Sequence, residues 1–134
     1  MSKLDAIYMS EALKEAVKAF EADDVPVGAV IVHKGRIIAR AHNQIKLLKD
    51  PTAHAEMIAI TQAAAHFNNE RLSDTTMYVT IEPCAMCAGA LILARVKRLV
   101  FGARDIRTGA FGSILDINKK WRAWQDSNLR PPGS

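Results

Sequence analysis

The sequence predicts an α/β domain built on a mixed sheet of four strands. Three features carry that expectation: two β-forming runs on either side of Lys34-Gly35, two strongly apolar helical segments, and a β-forming run after each of those segments. The paired runs predict an antiparallel hairpin, and the helical crossovers predict parallel pairing for the later strands. A chain of 134 residues can bury one substantial core.

The elements follow in order. Ser2 stands where it can cap a first helix, with Asp5 favouring the positive end. Met9, Leu13, Ala16, Val17 and Phe20 recur at helical spacing and predict its buried face, opposite Glu11, Lys14, Glu15 and Lys18. Asp23-Asp24 and Pro26 end the helix. Residues 27–32 form a short apolar run that reads as a buried strand, in which Gly28 and Ala29 leave room for a close approach. Gly35 supplies the positive φ of a tight turn, and residues 36–41 return as a second strand. Residues 45–50 read as a loop carrying Lys46 and Lys49.

Asp50-Pro51-Thr52 reads as the start of an almost wholly apolar helix whose first turn carries His54 and Glu56. Residues 68–74 are polar and read as a surface turn, followed by a third strand over 76–81. Pro83 stops that strand, and residues 84–93 form a second apolar helix with Cys84 and Cys87 on one face of its first turn. A fourth strand is expected over 98–103 and a Gly-rich functional loop over 105–113. Residues 1–118 thus make the folded domain, and residues 119–134, which show no helix or strand period, an atypical and loosely ordered tail.

Composition narrows the function classes. Hydrophobic content of 49% with 24% charged residues is ordinary for a globular protein. No apolar run approaches the ~20 residues of a membrane span, and none follows Met1 as a secretory signal would. The two cysteines share one Cys-x-x-Cys, so no disulfide framework is expected and a reducing cytoplasm is favoured. A net charge of +4 permits a polyanionic partner without requiring one.

Two stretches carry the chemistry: His54-Ala55-Glu56 and Pro83-Cys84-Ala85-Met86-Cys87. Each alone is weak, since His-x-Glu recurs by chance and Cys-x-x-Cys also serves redox pairs and structural zinc sites. Together they offer three ligands, one short of a closed structural zinc site, and a catalytic zinc keeps water at that open position. Zinc held by His54, Cys84 and Cys87 would bring water towards ionisation at neutral pH, and Glu56 is spaced to carry the proton. Structural zinc or a redox dithiol are the alternatives. His33 and His66 read as surface residues, and His42 could line a pocket but lacks a ligand partner. Asn43 has two equal readings, an amide that bonds a heterocycle edge or a turn-forming residue after a strand.

The combined pattern, His-x-Glu followed by Pro-Cys-x-x-Cys, is the known signature of zinc-dependent nucleobase deaminases. From residue 25 to about residue 118 the chain resembles the bacterial tRNA-specific adenosine deaminases of the cytidine deaminase-like superfamily. The resemblance rests on Val25-Pro-Val-Gly-Ala-Val30, Asn43, Asp50-Pro-Thr-Ala-His-Ala-Glu56 and Tyr78-Val-Thr-Ile-Glu-Pro-Cys-Ala-Met-Cys-Ala-Gly-Ala90. It continues through Val100-Phe-Gly-Ala-Arg-Asp105 and Thr108-Gly-Ala-Phe-Gly-Ser113.

This resemblance implies a three-layer α/β/α fold, a homodimer with one zinc per subunit, and hydrolysis of the wobble adenosine of a tRNA anticodon stem-loop to inosine. Carried over by position, His54, Cys84 and Cys87 hold zinc and Glu56 shuttles the proton. Asn43, the Ala55 backbone, Val27 and Pro83 surround the base, and Asp105 lies near the sugar-phosphate chain. Arg104, Arg107 and Lys46 would meet phosphates. Free guanine or cytosine, or adenine in single-stranded DNA, are the alternative substrates, and an inactive zinc-containing nucleic-acid-binding remnant is the non-enzyme alternative. The family continues past Ser113-Ile-Leu-Asp116 into a fifth strand and a closing C-terminal helix, whereas residues 119–134 resemble neither. The expected consequences are an open edge at the fourth strand and weaker RNA binding than in a full-length relative.

Overall fold

The structure, a computed structural model, describes residues 1–113, 115–117 and 119. The expectation of a loose tail over 119–134 falls, Lys119 apart, outside these residues. Helix α1 (Lys3–Glu21) starts on Ser2, whose hydroxyl accepts from the Asp5 N–H while the Asp5 carboxylate accepts from the Ser2 N–H. Strands β1 (Gly28–His33) and β2 (Arg36–His42) follow as the expected hairpin, with Lys34 and Gly35 at φ 49° and 76° in the turn. Then come α2 (Ile45–Leu48), α3 (Ala55–Phe67), β3 (Thr75–Ile81), α4 (Ala85–Leu93) and β4 (Arg98–Ala103).

The sheet runs β2-β1-β3-β4, so among the described residues β2 and β4 are its edges. Strand β1 is antiparallel to both neighbours, and β3 is parallel to β4 across the α4 crossover. Alternation along the strands splits the core in two. Ala29, Ile31, Met77 and Val79 face Ala55, Ala59 and Ala63 of α3 and Leu91 of α4. Val30, Val32 and Tyr78 face Met9 and Ala12 of α1. The result is the three-layer α/β/α arrangement expected. No helix among the described residues is long and apolar enough to cross a membrane.

Three local expectations are corrected. The buried face of α1 is Asp5, Met9, Ala12, Glu15, Ala16 and Ala19, whereas Leu13, Val17 and Phe20 are 53%, 52% and 70% exposed. The cause lies on β1. A Cβ at Gly28 would land on the Ala12 carbonyl and the Ala16 N–H, so α1 lies against the strand at backbone distance and small residues mark the contact. Glu15 turns inward because Arg40 Nε and Lys18 Nζ donate to its carboxylate at 3.2 and 2.7 Å, with His42 Nδ1 at 3.4 Å. Residues 45–48 are the short helix α2, closed by Lys49 at φ 52°, and not part of a loop. Asp50-Pro51-Thr52 does not start α3; the Asp50 carboxylate accepts from the Thr52 N–H and hydroxyl at 2.8 and 2.7 Å, making a separate turn.

The α1 layer is pinned to the sheet by a buried polar cluster. The Tyr78 hydroxyl donates to Asp5 Oδ1 at 2.6 Å, and Arg98 donates to both Asp5 oxygens at 2.8 and 2.7 Å. The Arg98 and Tyr78 hydrogen bonds hold the Asp5 carboxyl well below its ordinary 3.8. A depressed carboxyl contributes stability above its unfolded value and loses it as pH falls through the folded one. Asp5→Asn should therefore lower the thermal midpoint at neutral pH. The gap to the parent chain should narrow progressively as pH is lowered below 3.8, measured by circular dichroism melts.

Candidate active site

The two motifs meet where α3 and α4 begin. His54 is the N-cap of α3, at φ −75° and ψ 150°, and Cys84 is the N-cap of α4, at φ −73° and ψ 176°. Sequence reading put both inside the helices; they stand one residue ahead, in extended backbone. His54 Nδ1 lies 3.7 Å from Cys84 Sγ and 3.5 Å from Cys87 Sγ. A tetrahedral zinc, with bonds of about 2.3 Å to sulfur and about 2.0–2.1 Å to nitrogen, separates such ligands by roughly 3.6 Å. The donor set and its spacing fit that ion, and all three ligand atoms lie within 4.8 Å of one another.

An N-cap side chain ordinarily satisfies the first N–H groups of its helix. His54 makes no such bond, which leaves its ring free. Asn43, immediately after β2, does the work instead: its Oδ1 accepts from the Ala55 N–H at 2.7 Å. The assignment follows from the network, because a backbone N–H requires an acceptor. Asn43 is 5% exposed and lines the cleft, so its NH₂ donors remain for whatever enters.

The two thiols lie together at the N-terminus of α4. Cys84 is brought down to about 5 by the Cys87 thiol beside it, the N–H groups of Cys87 and Met86, and His54. Cys87, donating to Cys84 and buried, is pushed up. A divalent cation would take the place of the proton they share. Burial raises the Glu56 carboxyl above its ordinary 4.5, so it holds a proton more readily than a surface glutamate.

A cleft of about 190 Å³ opens over these groups. His54, Glu56 and Cys84 line it together with Val25, Val27, Asn43 and Ile45. Ile81, Glu82, Asp105 and Thr108 complete the lining.

Comparison with known proteins adds to this geometry. The family model for MafB19-like deaminases matches residues 3–125. A chloroplastic tRNA(adenine(34)) deaminase of Arabidopsis thaliana is 56% identical over 85% of the chain, which spans only 9% of that larger protein. The tRNA-specific adenosine deaminase of Aquifex aeolicus is 48% identical over 82% of the chain and 73% of its own length. The chain belongs to this deaminase family.

Solved structures agree. One from a study of A-to-I editing by tRNA:A34 deaminases superposes with a TM-score of 0.79 at 48% identity, covering 81% of this chain and 83% of its own. Guanine deaminase from Bacillus subtilis superposes at 0.73 with 28% identity, covering 98% of both chains.

Not every residue expected at the site of this deaminase is in the cleft. His54, Cys84, Cys87 and Glu56 come together, and Val27, Asn43 and Asp105 line the opening. Ala55 and Pro83 are buried and do not line it; the Ala55 N–H is taken by Asn43, and the Pro83 carbonyl accepts from the Ala110 N–H at 2.8 Å. Asp105 is committed to its own loop, accepting from the Arg107 and Thr108 N–H groups at 3.0 and 3.2 Å and from the Thr108 hydroxyl at 2.8 Å. Arg104 and Arg107 are exposed outside the lining, and the Lys46 ammonium lies 3.5 Å from Asp23. Sequence reasoning missed Val25, Ile45, Ile81, Thr108 and Glu82. The signal for Glu82 was present: a carboxylate set between a buried strand and Pro83.

Proposed function

We propose that this protein is a zinc-dependent hydrolytic deaminase that converts the wobble adenosine of a tRNA anticodon loop to inosine. The observation that carries the reading is a buried Glu56 beside a three-ligand His54–Cys84–Cys87 cluster at a cleft. Relatives named as tRNA deaminases supply the substrate class.

Bound zinc would supply a Lewis acid that brings the pKa of a coordinated water near neutrality. His54, Cys84 and Cys87 would hold the ion. Glu56 takes a proton from the attacking water and delivers it to the departing amino group, so adenosine and water become inosine and ammonia. Both helix N-termini favour the negative thiolates that this ligand set needs. The Asn43 NH₂ group donates to a ring nitrogen of the purine. A stacked base could not reach Glu56, so the target nucleotide is read flipped out. Arg104, Arg107 and Lys46 offer exposed charge for phosphates, which positions the strand without reading its sequence.

The same reading makes the protein a cytoplasmic homodimer. Exposed Leu47 and Leu48 on α2, and Leu93 on α4, offer apolar surface for a second copy. The likeness to guanine deaminase favours a free purine as the second reading. A substrate panel separates them: an RNA anticodon hairpin, its DNA counterpart, free guanine and free cytosine. Inosine from the RNA hairpin as the fastest product supports the proposal, and faster xanthine formation from guanine would replace it.

Asn43→Asp probes the base contact apart from the helix cap. Aspartate retains an oxygen for the Ala55 N–H and loses the NH₂ donors. Deamination efficiency should fall about 10- to 100-fold with the thermal midpoint retained. Unchanged efficiency would remove Asn43 from base recognition.

A further inference from the structure

Glu82 is 2% exposed and stands between the end of β3 and the Pro83-Cys84 entry to α4. An isolated carboxylate in such a place is costly, so its partners matter. Four donors converge on it, all from the loop that follows β4. The Ser113 hydroxyl and the Asp105 N–H donate to Oε1 at 2.5 and 3.3 Å. The Phe111 and Ser113 N–H groups donate to Oε2 at 2.9 and 3.1 Å. Each oxygen therefore takes two donors, and neither can be replaced by an NH₂ group without opposing donors.

The loop is shaped to receive this side chain. A Cβ at Gly109 would fall on the Glu82 carboxylate, so the backbone there passes as close as a residue without a side chain allows. Beside it, the Ala110 N–H donates to the Pro83 carbonyl at 2.8 Å. The same loop presents Asp105 and Thr108 to the cleft that Asn43 and Val27 also line. Cys84, two residues beyond Glu82, is a member of the ligand cluster.

We infer that Glu82 is a positioning residue, whose carboxylate locks the substrate-facing loop over 105–113 onto the metal-ligating start of α4. Through it, one side of the cleft keeps a constant position relative to the reacting centre. The chain's own residues thus set where a nucleotide sits, independently of the residues that do the chemistry. The kinetic part of the test rests on the function proposed above, and the exchange part does not.

The experiment compares Glu82→Gln, Ser113→Ala and Gly109→Ala with the parent in the full-length, zinc-loaded chain. Residue-resolved amide hydrogen exchange, zinc content and the steady-state constants on an RNA anticodon hairpin are read for each. Glu82→Gln should keep one zinc per chain and exchange the Phe111 and Ser113 amides faster, with the amides of β1 and α3 unchanged. KM should rise about tenfold while kcat falls less, because the lost interaction acts on substrate placement. Ser113→Ala, which removes one bond only, should show the same pattern more weakly. Gly109→Ala should reproduce Glu82→Gln. Unchanged exchange at Phe111 and Ser113 would overturn the inference, and so would a uniform loss of stability with KM unaltered. If the parent chain made no inosine from the hairpin, the proposed function would fall and the exchange data would still decide the role of Glu82.

Discussion

Glu56→Ala is expected to abolish deamination while leaving zinc bound at one ion per chain. Glu56 lies two residues after His54 at the start of α3 and lines the cleft, but it is not a member of the His54–Cys84–Cys87 cluster. Removing it leaves the three ligands in place. What is lost is the one cleft-lining carboxyl that its surroundings raise on balance, through burial, while hydrogen bonds hold Glu82 and Asp105 low. General acid–base assistance contributes about 10²- to 10⁴-fold, and here one group serves both transfers, so the loss should reach at least the upper part of that range. Single-turnover inosine formation and metal analysis on the same preparation read both halves. A variant that lost zinc along with activity would make Glu56 a structural residue, and one that kept activity would remove it from the mechanism.

The second large effect is at Cys87. It is fully buried at the third position of α4, and its sulfur lies 3.5 Å from His54 Nδ1. Cys87→Ser keeps the volume but offers a harder, less ionisable ligand. Even partners of metal ligands alter affinity by about 10- to 100-fold, so loss of a ligand itself should exceed that. Zinc content should drop to background, activity with it, and the thermal midpoint should fall because the folded state no longer gains from binding the ion. Chelation of the parent protein should produce the same deficits, reversed by added zinc, whereas Cys87→Ser should not recover. Full zinc occupancy and turnover in Cys87→Ser would take this residue out of the ligand set.

The parts of the fold legible in the sequence were those set by local chemistry. The β4 run over 98–103 matches to the residue, and Gly35 has the positive φ expected of the turn, with Lys34 positive as well. The buried face of α1 is not legible from its large apolar residues, because Gly28 on the strand that folds back beside it decides how closely the helix lies and so which side turns in. Glu15 was read as a surface residue because its partners Arg40 and His42 come from β2. The ligand cluster was legible because its spacing is short and its residue types are few. Glu82 and the capping role of Asn43 were not, since each depends on a loop or helix that packs beside it only in the folded chain.

The proposed reaction is deamination of adenosine at the wobble position of a tRNA anticodon. The most direct measurement digests an RNA anticodon hairpin after incubation with the zinc-loaded chain and locates inosine by mass spectrometry. Inosine is expected at the wobble position, with the other adenosines of the loop unchanged. A hairpin returned without inosine by a chain carrying its full complement of zinc would contradict it.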